Sequence, residues 1–434
     1  MGFSVEDDYL TIQEAINAAE PGDTINVKAG VYYENVVVNK SVSLLGEARE
    51  TTIVDGGGNG HVVFVEANNV TVSGFTLRNS GLGSINPSSG VVLRFSNNCL
   101  VSDNIVVGNQ YGVWLSSSDN NAIVGNIVAN NTGVYGVRLY KSKNNNVSHN
   151  LVVDNNYGIY VYADSDFNVI KHNNVSGNQF GIYISHSAGN LVEGNTVVDS
   201  SLYGITLRSS GDNSIFHNNF VNYLQVDVVD GFANVWCDVY PSGGNYWSDY
   251  AGVDEFCGVN QSVPGSDGLG DTAYGDDVKN RDNYPLMGFF SMFDVIWNES
   301  AYSVLTVCNS TITGLSLVFL EASVEIRLNV SDTEGTLGFC RVSVPKVFLG
   351  GLENDEYVIV VNGNSSLLIR EIESNGYYDV MYFTYVHGPF IPEFTAGSLM
   401  LLILFLTFVI LLVNCLQQIR SKFKHISGKV KANC

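Results

Sequence analysis

The chain has 434 residues, 45% of them hydrophobic, with only 8 prolines and a formal net charge of −22. That length exceeds one ordinary core, so several domains are expected, and the composition excludes a disordered polymer. The acidic balance lacks the basic footprint that DNA or RNA binding demands, so no nucleic-acid partner is expected.

In chain order, residues 9–20 read as the one clear soluble helix. Thr11 and Glu14 have capping-box spacing, and Ile12, Ala15, Ile16 and Ala19 make an apolar face. Pro21-Gly22-Asp23 stops it. Strand-like runs follow at 24–27, 34–38, 41–45 and 52–54, so residues 1–59 are expected to form an N-terminal cap and first coils.

From 60 to 223 the text repeats every 22–24 residues. Asn104, Asn126, Asn150, Asn173, Asn195 and Asn218 form one rail; Gly112, Gly136, Gly158, Gly181 and Gly204 form another. A fixed period of this size means a solenoid. Units such as Gly158-Ile-Tyr-Val-Tyr162 alternate with period two and leave no room for a helix, which predicts a right-handed parallel β-helix. Valine and isoleucine where leucine would stand, and the missing helix, exclude a leucine-rich horseshoe. Asparagines stacked at a turn can form an amide ladder, and the glycines mark corners needing positive φ or close approach. Both rails therefore read as scaffold.

Residues 224–290 form a Tyr-, Asp- and Gly-rich closing segment. Residues 291–388 return to short strands with turns between them, which suggests a small β-sandwich. A linker at 389–395 leads to residues 396–416, an uncharged apolar run of 21 residues. That is enough for one transmembrane helix. No acid follows Glu393, whereas Arg420, Lys422, Lys424, Lys429 and Lys431 crowd residues 417–434. The tail is therefore expected in the cytoplasm, with the acidic bulk at the cell surface. Ten Asn-X-Ser/Thr sequons agree: Asn39, Asn69, Asn130, Asn146, Asn174, Asn260, Asn298, Asn309, Asn329 and Asn364. Export needs a signal peptide, and none precedes the folded-looking sequence, so the start is expected to be truncated or misplaced. Cys99 reads as a core residue. Cys237, Cys257, Cys308 and Cys340 are disulfide candidates whose connectivity stays open.

The outward face of the Gly-Ile-X-Val strands is the candidate surface. One column reads Trp114, Arg138, Tyr160, Tyr183 and Thr206; its neighbour reads Ser116, Tyr140, Tyr162, Ser185 and Arg208. Aromatic rings in register suit the apolar faces of sugars, and arginine adds forked donors, so Trp114, Arg138, Tyr140, Tyr160, Tyr162, Tyr183 and Arg208 are the expected carbohydrate contacts. The competing reading is cross-strand pairing for stability. A third column, Tyr111, Tyr135, Tyr157, Phe180 and Tyr203, precedes each glycine and reads as corner stacking. Asp164 and Asp166, with Arg138 nearby, are the candidates for acid–base chemistry, against the simpler reading of a solvated turn. The Asn-Thr-Asp and Arg-Ile-Lys signatures of polygalacturonases are absent. Asp267, Asp271, Asp276 and Asp277 form an acidic loop that would take calcium, the one cofactor the motifs suggest, although full EF-hand spacing is lacking. His149 and His172 stand on adjacent rungs, where two imidazoles could share copper.

Thr11-Ile-Gln-Glu-Ala-Ile, Pro21-Gly-Asp-Thr-Ile and Gly30-Val-Tyr-Tyr-Glu-Asn-Val together resemble the N-terminal cap of the pectin-lyase-like superfamily. The Asn/Gly repeats resemble its NosD-type branch, the periplasmic copper-binding β-helix family. Gly244-Asn-Tyr-Trp-Ser-Asp-Tyr250, Asp267-Gly-Leu-Gly-Asp271, Asp282-Asn-Tyr-Pro-Leu286 and Ile391-Pro-Glu-Phe394 are similar to segments of archaeal surface proteins. The resemblance implies an all-β, membrane-anchored surface protein whose partner is a polysaccharide or cell-surface glycan. A polysaccharide lyase, epimerase or hydrolase on the same face is the alternative, and a NosD-type copper-binding maturation factor is the second.

Overall fold

The computed structural model describes residues 2–5, 9–83, 87–230, 232–320, 323–349, 356–365, 369–372 and 375–387. The linker 389–395, the apolar run 396–416 and the basic tail 417–434 lie outside the described residues. Among the described residues no helix is long and apolar enough to cross a membrane.

The helix α1 spans Ile12–Ala18, shorter than the 9–20 expected. The Thr11 side chain accepts the Glu14 N–H, and the Glu34 carboxylate accepts the N–H groups of Ile12 and Gln13 at 3.0 Å each. Lys40 Nζ donates to the carbonyls of Asn17 and Ala19 at the other end. All these groups would otherwise be orphaned helix termini. Because Glu34 leaves the sheet for this task, the strand expected over 34–38 is shortened to Val36–Val38, and a separate strand, Gly30–Tyr33, precedes it in another sheet.

Ile12, Ala15 and Ile16 bury α1 against a solenoid of three parallel sheets with ten, nine and ten strands. One coil consists of Asn146–Ser148, Leu151–Val153 and Tyr157–Tyr162. Each short strand points its middle residue inward, and Val147, Val152, Ile159 and Val161 are fully buried. The strands are all parallel to their neighbours along the stack, and short connections of one sense favour a right-handed path. Stacking runs from Gly2–Val5, paired with Thr24–Val27, to Tyr246–Trp247, paired with Asn219 and Phe220. It therefore outlasts the sequence period, which fades near residue 223.

The expected amide ladder is present, and it has company. Asn126 Oδ1 accepts both the backbone and the side-chain N–H of Asn104, at 3.0 and 3.1 Å, and Asn104 Nδ2 also reaches Val72 O. The same unit repeats through Asn150, Asn173, Asn195 and Asn218. It ends on Asn245, which supplies the next Oδ1 after a 27-residue excursion. A second ladder links Asn121, Asn145, Asn168, Asn190, Asn213 and Asn234. Cys99 occupies its first place, donating its backbone N–H to Asn121. A third joins Asn109, Asn131, Asn155 and Asn178. At the corner of the second ladder, the hydroxyls of Ser118, Ser142, Ser165 and Ser187 each take the backbone N–H of the serine one coil earlier, beginning with Ser96.

The glycine rail follows from the close stacking of neighbouring coils. None of its glycines has positive φ. A Cβ on Gly136 would stand 2.7 Å from Gly158 O and 2.9 Å from Asn155 Nδ2, and one on Gly158 would meet Gly181 O at 2.6 Å. Close approach is the operative reason of the two weighed. Positive φ falls instead on the residue before most ladder asparagines, as at Asp103, Gly125, His149, His172, Gly194 and His217.

A β-sandwich follows. Its five-stranded sheet contains Phe289–Trp297, Ser300–Cys308 and Leu337–Pro345, and its four-stranded sheet contains Thr311–Phe319 and Ser323–Ser331. Val304, Val324, Ile326, Val342 and Phe383 fill its core. It docks on the end of the solenoid. Asn219 exchanges two hydrogen bonds with the Phe290 backbone, at 2.9 and 2.8 Å, and buried Arg341 donates to the carbonyls of Asp267 and Pro241.

If the ladder carries the stack, Asn150→Ala should lower stability by about 2–4 kcal/mol in urea unfolding, because two buried donors of Asn126 lose their acceptor. Gly158→Ala should cost roughly 1–3 kcal/mol by overpacking. Gly108, with φ +65 and nothing within 4 Å of its Cβ position, should accept asparagine within about 0.5 kcal/mol.

Candidate functional site

The nine-stranded sheet aligns the columns. Trp114 pairs in register with Arg138, Arg138 with Tyr160, Tyr160 with Tyr183, and Tyr183 with Thr206. Beside them Ser116, Tyr140, Tyr162, Ser185 and Arg208 form the second column. Val92 and Thr206 are buried at the two ends, so the half-exposed stretch runs from Trp114 to Tyr183.

The corner column is part of this surface. Tyr135 stacks on Tyr160 with centroids 4.8 Å apart and planes 5° from parallel, and Tyr160 stacks on Tyr162 at 5.5 Å. Tyr157 meets Tyr160, Tyr183 and Phe180 at 5.2, 5.2 and 4.7 Å. Arg138 sits among Trp114, Tyr135 and Tyr140, with its guanidinium carbon 5.2, 4.8 and 5.2 Å from their centres. The rings thus form one lattice, and much of their flat area faces other rings. Burial, reinforced by the neighbouring Tyr135, pushes the Tyr160 hydroxyl well above its ordinary range. Burial raises Tyr135 and Tyr157 also. Among the described residues the hydroxyls of Tyr140, Tyr160, Tyr162 and Tyr183 have no hydrogen-bond partner. Trp114 Nε1 and Arg138 Nε are buried donors without an acceptor.

The carboxylate candidates stand elsewhere. Asp166 pairs with Lys143 Nζ at 2.6 Å and accepts the Ala188 N–H at 2.9 Å. It belongs to a stitching column, since Asp119 likewise accepts the Lys143 N–H. Asp164 is exposed at a left-handed turn. Arg138 lies over its three rings, so these three residues are not assembled as a catalytic group.

The acidic loop divides among separate turns. Asp267 is buried and accepts from Leu269 N and Gln261 Nε2; Asp271 accepts from Glu255 N and Phe256 N; Asp277 accepts from Lys279 N and Asn280 Nδ2; Asp276 is exposed. The sequence reading missed Asp254, which accepts the N–H groups of Asp267 and Gly268 and whose pKa burial raises to about 6. The rings of His149 and His172 lie 5.3 Å apart. Among the described residues no three His, Cys, Asp or Glu side chains converge on a metal position. Two imidazoles therefore stand without the further ligands a closed copper site takes.

Cys308 and Cys340 are joined across neighbouring strands. Cys237 and Cys257 are free, which corrects their candidacy: Cys257 Sγ lies 2.9 Å from Arg370 Nη2, and Cys237 faces Asn283.

A cavity of about 360 Å³ lies where the solenoid meets the sandwich, lined by Glu193, His217, Asp238, Phe290 and Arg341 among others. His217 stacks on Phe290 at 4.5 Å, and burial lowers its pKa to about 4 from 6.5. A depressed histidine contributes stability that is present above the unfolded pKa and is lost as pH falls toward the folded one. Asp282, raised by burial to about 7, acts in the opposite direction, so the wild type partly masks the effect. Acidification from pH 7 to pH 4 should therefore destabilise wild type more than His217→Gln, by roughly 3 kcal/mol. Urea unfolding at the two pH values checks it.

Comparison with known proteins places these features. The family model described as "Periplasmic copper-binding protein (NosD)" matches residues 16–202 and 163–252, more than half of the chain. No curated protein matches. Among solved structures, an alginate lyase from Paenibacillus sp. str. FPU-7 is 11% identical over 54% of this chain and 99% of its own, with a TM-score of 0.33. Pectate lyase Pel9A is 15% identical over 58% of this chain and 79% of its own, with a TM-score of 0.38. The PL6 family alginate lyase AlyGC is 15% identical over 51% of this chain and 35% of its own, also at 0.38. Likenesses this faint carry no argument about activity. With the family match and the stacked parallel coils together, the chain belongs to the NosD family of pectin-lyase-like parallel β-helix proteins.

Proposed function

We propose that this protein is exported, held at the cell surface by residues 396–416, and binds a glycan chain along the aromatic sheet without cutting it. The observation that carries this reading is the in-register row from Trp114 to Tyr183, whose tyrosine hydroxyls have no partner among the described residues. A surface of rings with uncommitted hydroxyls offers both apolar contact and hydrogen bonds to a sugar chain. The rings also stack on one another, which braces them as one rigid lattice. Arg138 fixes its centre, and Tyr140, Tyr162 and Arg208 extend the second row. The periplasmic description of the family supports a location outside the cytoplasm. The engagement of Asp166 by Lys143 Nζ and the Ala188 N–H favours binding over lyase, epimerase or hydrolase chemistry.

The His149–His172 pair supports a second reading, copper binding, which also agrees with the family description. Calcium in the 267–277 loop has less support, because each of its hydrogen-bonded aspartates already holds a turn.

The test is a polysaccharide panel scored for both binding and product release. Tyr183→Ala should weaken binding of the retained glycan roughly three- to tenfold, as expected for the loss of an aromatic contact, with no product from either protein. Product release that disappears in Asp164→Asn would establish the enzyme reading instead. Stoichiometric Cu(II) uptake lost in His172→Ala, with no glycan bound, would establish the copper reading.

A further inference from the structure

We propose that the exposed sequon asparagines carry N-linked glycans that coat the sandwich and the other solenoid faces and leave the aromatic sheet bare. The sequons look equivalent in sequence, but the structure sorts them. Asn69 and Asn130 sit at exposed left-handed turns with φ 56 and 52, and Asn298 sits at an exposed hairpin turn with φ 48. Asn174 and Asn329 point outward from their strands and are exposed. Among the described residues none of these side-chain amides has a hydrogen-bond partner.

Two others are built into the fold. Asn146 lies within a strand, its Oδ1 is buried, and Ser148 of the same sequon is 2% exposed. Asn309 uses its amide as a strand clamp, accepting the Phe339 N–H at 2.8 Å and reaching Leu337 O at 3.4 Å. Asn146 is half-buried between its strand neighbours Ala122 and Val169, which a sugar there would crowd, and one on Asn309 would crowd that clamp.

The placement has a pattern. The strands Tyr111–Ser116, Tyr135–Tyr140, Tyr157–Tyr162, Phe180–Ser185 and Tyr203–Arg208 contain no sequon. Asn146 and Asn174 belong to the other two sheets, and Asn69 and Asn130 to the turns. Bulky hydrophilic chains at the exposed positions would shield the rod and keep one face free for contact.

The co-substrate is an oligosaccharide joined through its sugar C1 to a lipid phosphate. The asparagine Nδ2 forms a bond to C1, the C1–O bond to phosphate breaks, the amide gives up one proton, and the lipid phosphate leaves with the bonding pair. This rests on the export half of the reading above, so location is measured alongside.

Full-length protein from its native membranes would be digested and its glycopeptides sequenced by mass spectrometry, while intact cells are tested for protease access. The expected result is a protease-accessible chain with sugar on Asn298 and Asn329 and at least one of Asn69, Asn130 and Asn174, and unmodified Asn146 and Asn309. Asn298→Gln should remove one glycan's mass. A protease-accessible chain bare at every exposed position overturns the proposal alone. Asn146 occupied as fully as Asn298 also overturns it. A protease-protected, unmodified chain overturns both this and the export reading.

Discussion

The side-chain amide of asparagine, used as a rung-to-rung bridge, is the interaction on which the rest of this molecule depends. A coil of 22–24 residues has three tight corners, and each leaves backbone N–H groups facing inward where water is excluded. One buried Oδ1 takes a backbone N–H and a side-chain N–H from the neighbouring coil, and one Nδ2 donates to the next amide and to a carbonyl. Only a short side chain with both a donor and an acceptor does this at a fixed corner. The repeat of asparagine is therefore forced by hydrogen-bond accounting, and the glycines are forced by the close approach of the next coil's backbone carbonyls.

The recognition surface follows from that fastening. The ladders hold the coils in constant register, so residues one period apart become direct neighbours on a flat sheet. Trp114, Arg138, Tyr160 and Tyr183 are scattered in sequence yet form a continuous row. The aromatic contacts then do two jobs: they stiffen the sheet, and they leave polar edges uncommitted. The closing segment completes the end of the stack, with Trp247 on Phe220 at 4.7 Å and its Nε1 on Asp282 at 3.0 Å, and the sandwich covers it through Arg341.

Much of this was legible. The period names the solenoid, and alternation within each unit assigns Tyr160 outward and Ile159 inward, as observed. The second and third ladders are equally present in the sequence, at Asn121, Asn145 and Asn168 and at Asn131, Asn155 and Asn178, although only the first stands out as an asparagine rail. Left-handed turns explain why His149, His172 and His217 share a position with Asp103 and Gly125; the constraint there is backbone geometry. What sequence could not supply is anything set by long-range meetings. Asn245 completes a ladder from outside the period, Arg341 is buried against carbonyls far upstream, and Cys257 faces Arg370 rather than Cys237. The interlocking of the corner tyrosines with the outward row was likewise invisible, because it depends on how the first strand residue leans over the sheet.

The central claim is that coils in register turn separate residues into one extended binding row. The most direct measurement is affinity against ligand length, using an oligosaccharide series cut from whichever glycan the protein retains. Rungs about 4.8 Å apart make the Trp114-to-Tyr183 row several sugars long. Affinity should rise with each added unit until the ligand spans the row, then level off, with the plateau reached sooner in Tyr183→Ala. Affinity that is already maximal for a monosaccharide and flat thereafter would contradict the account.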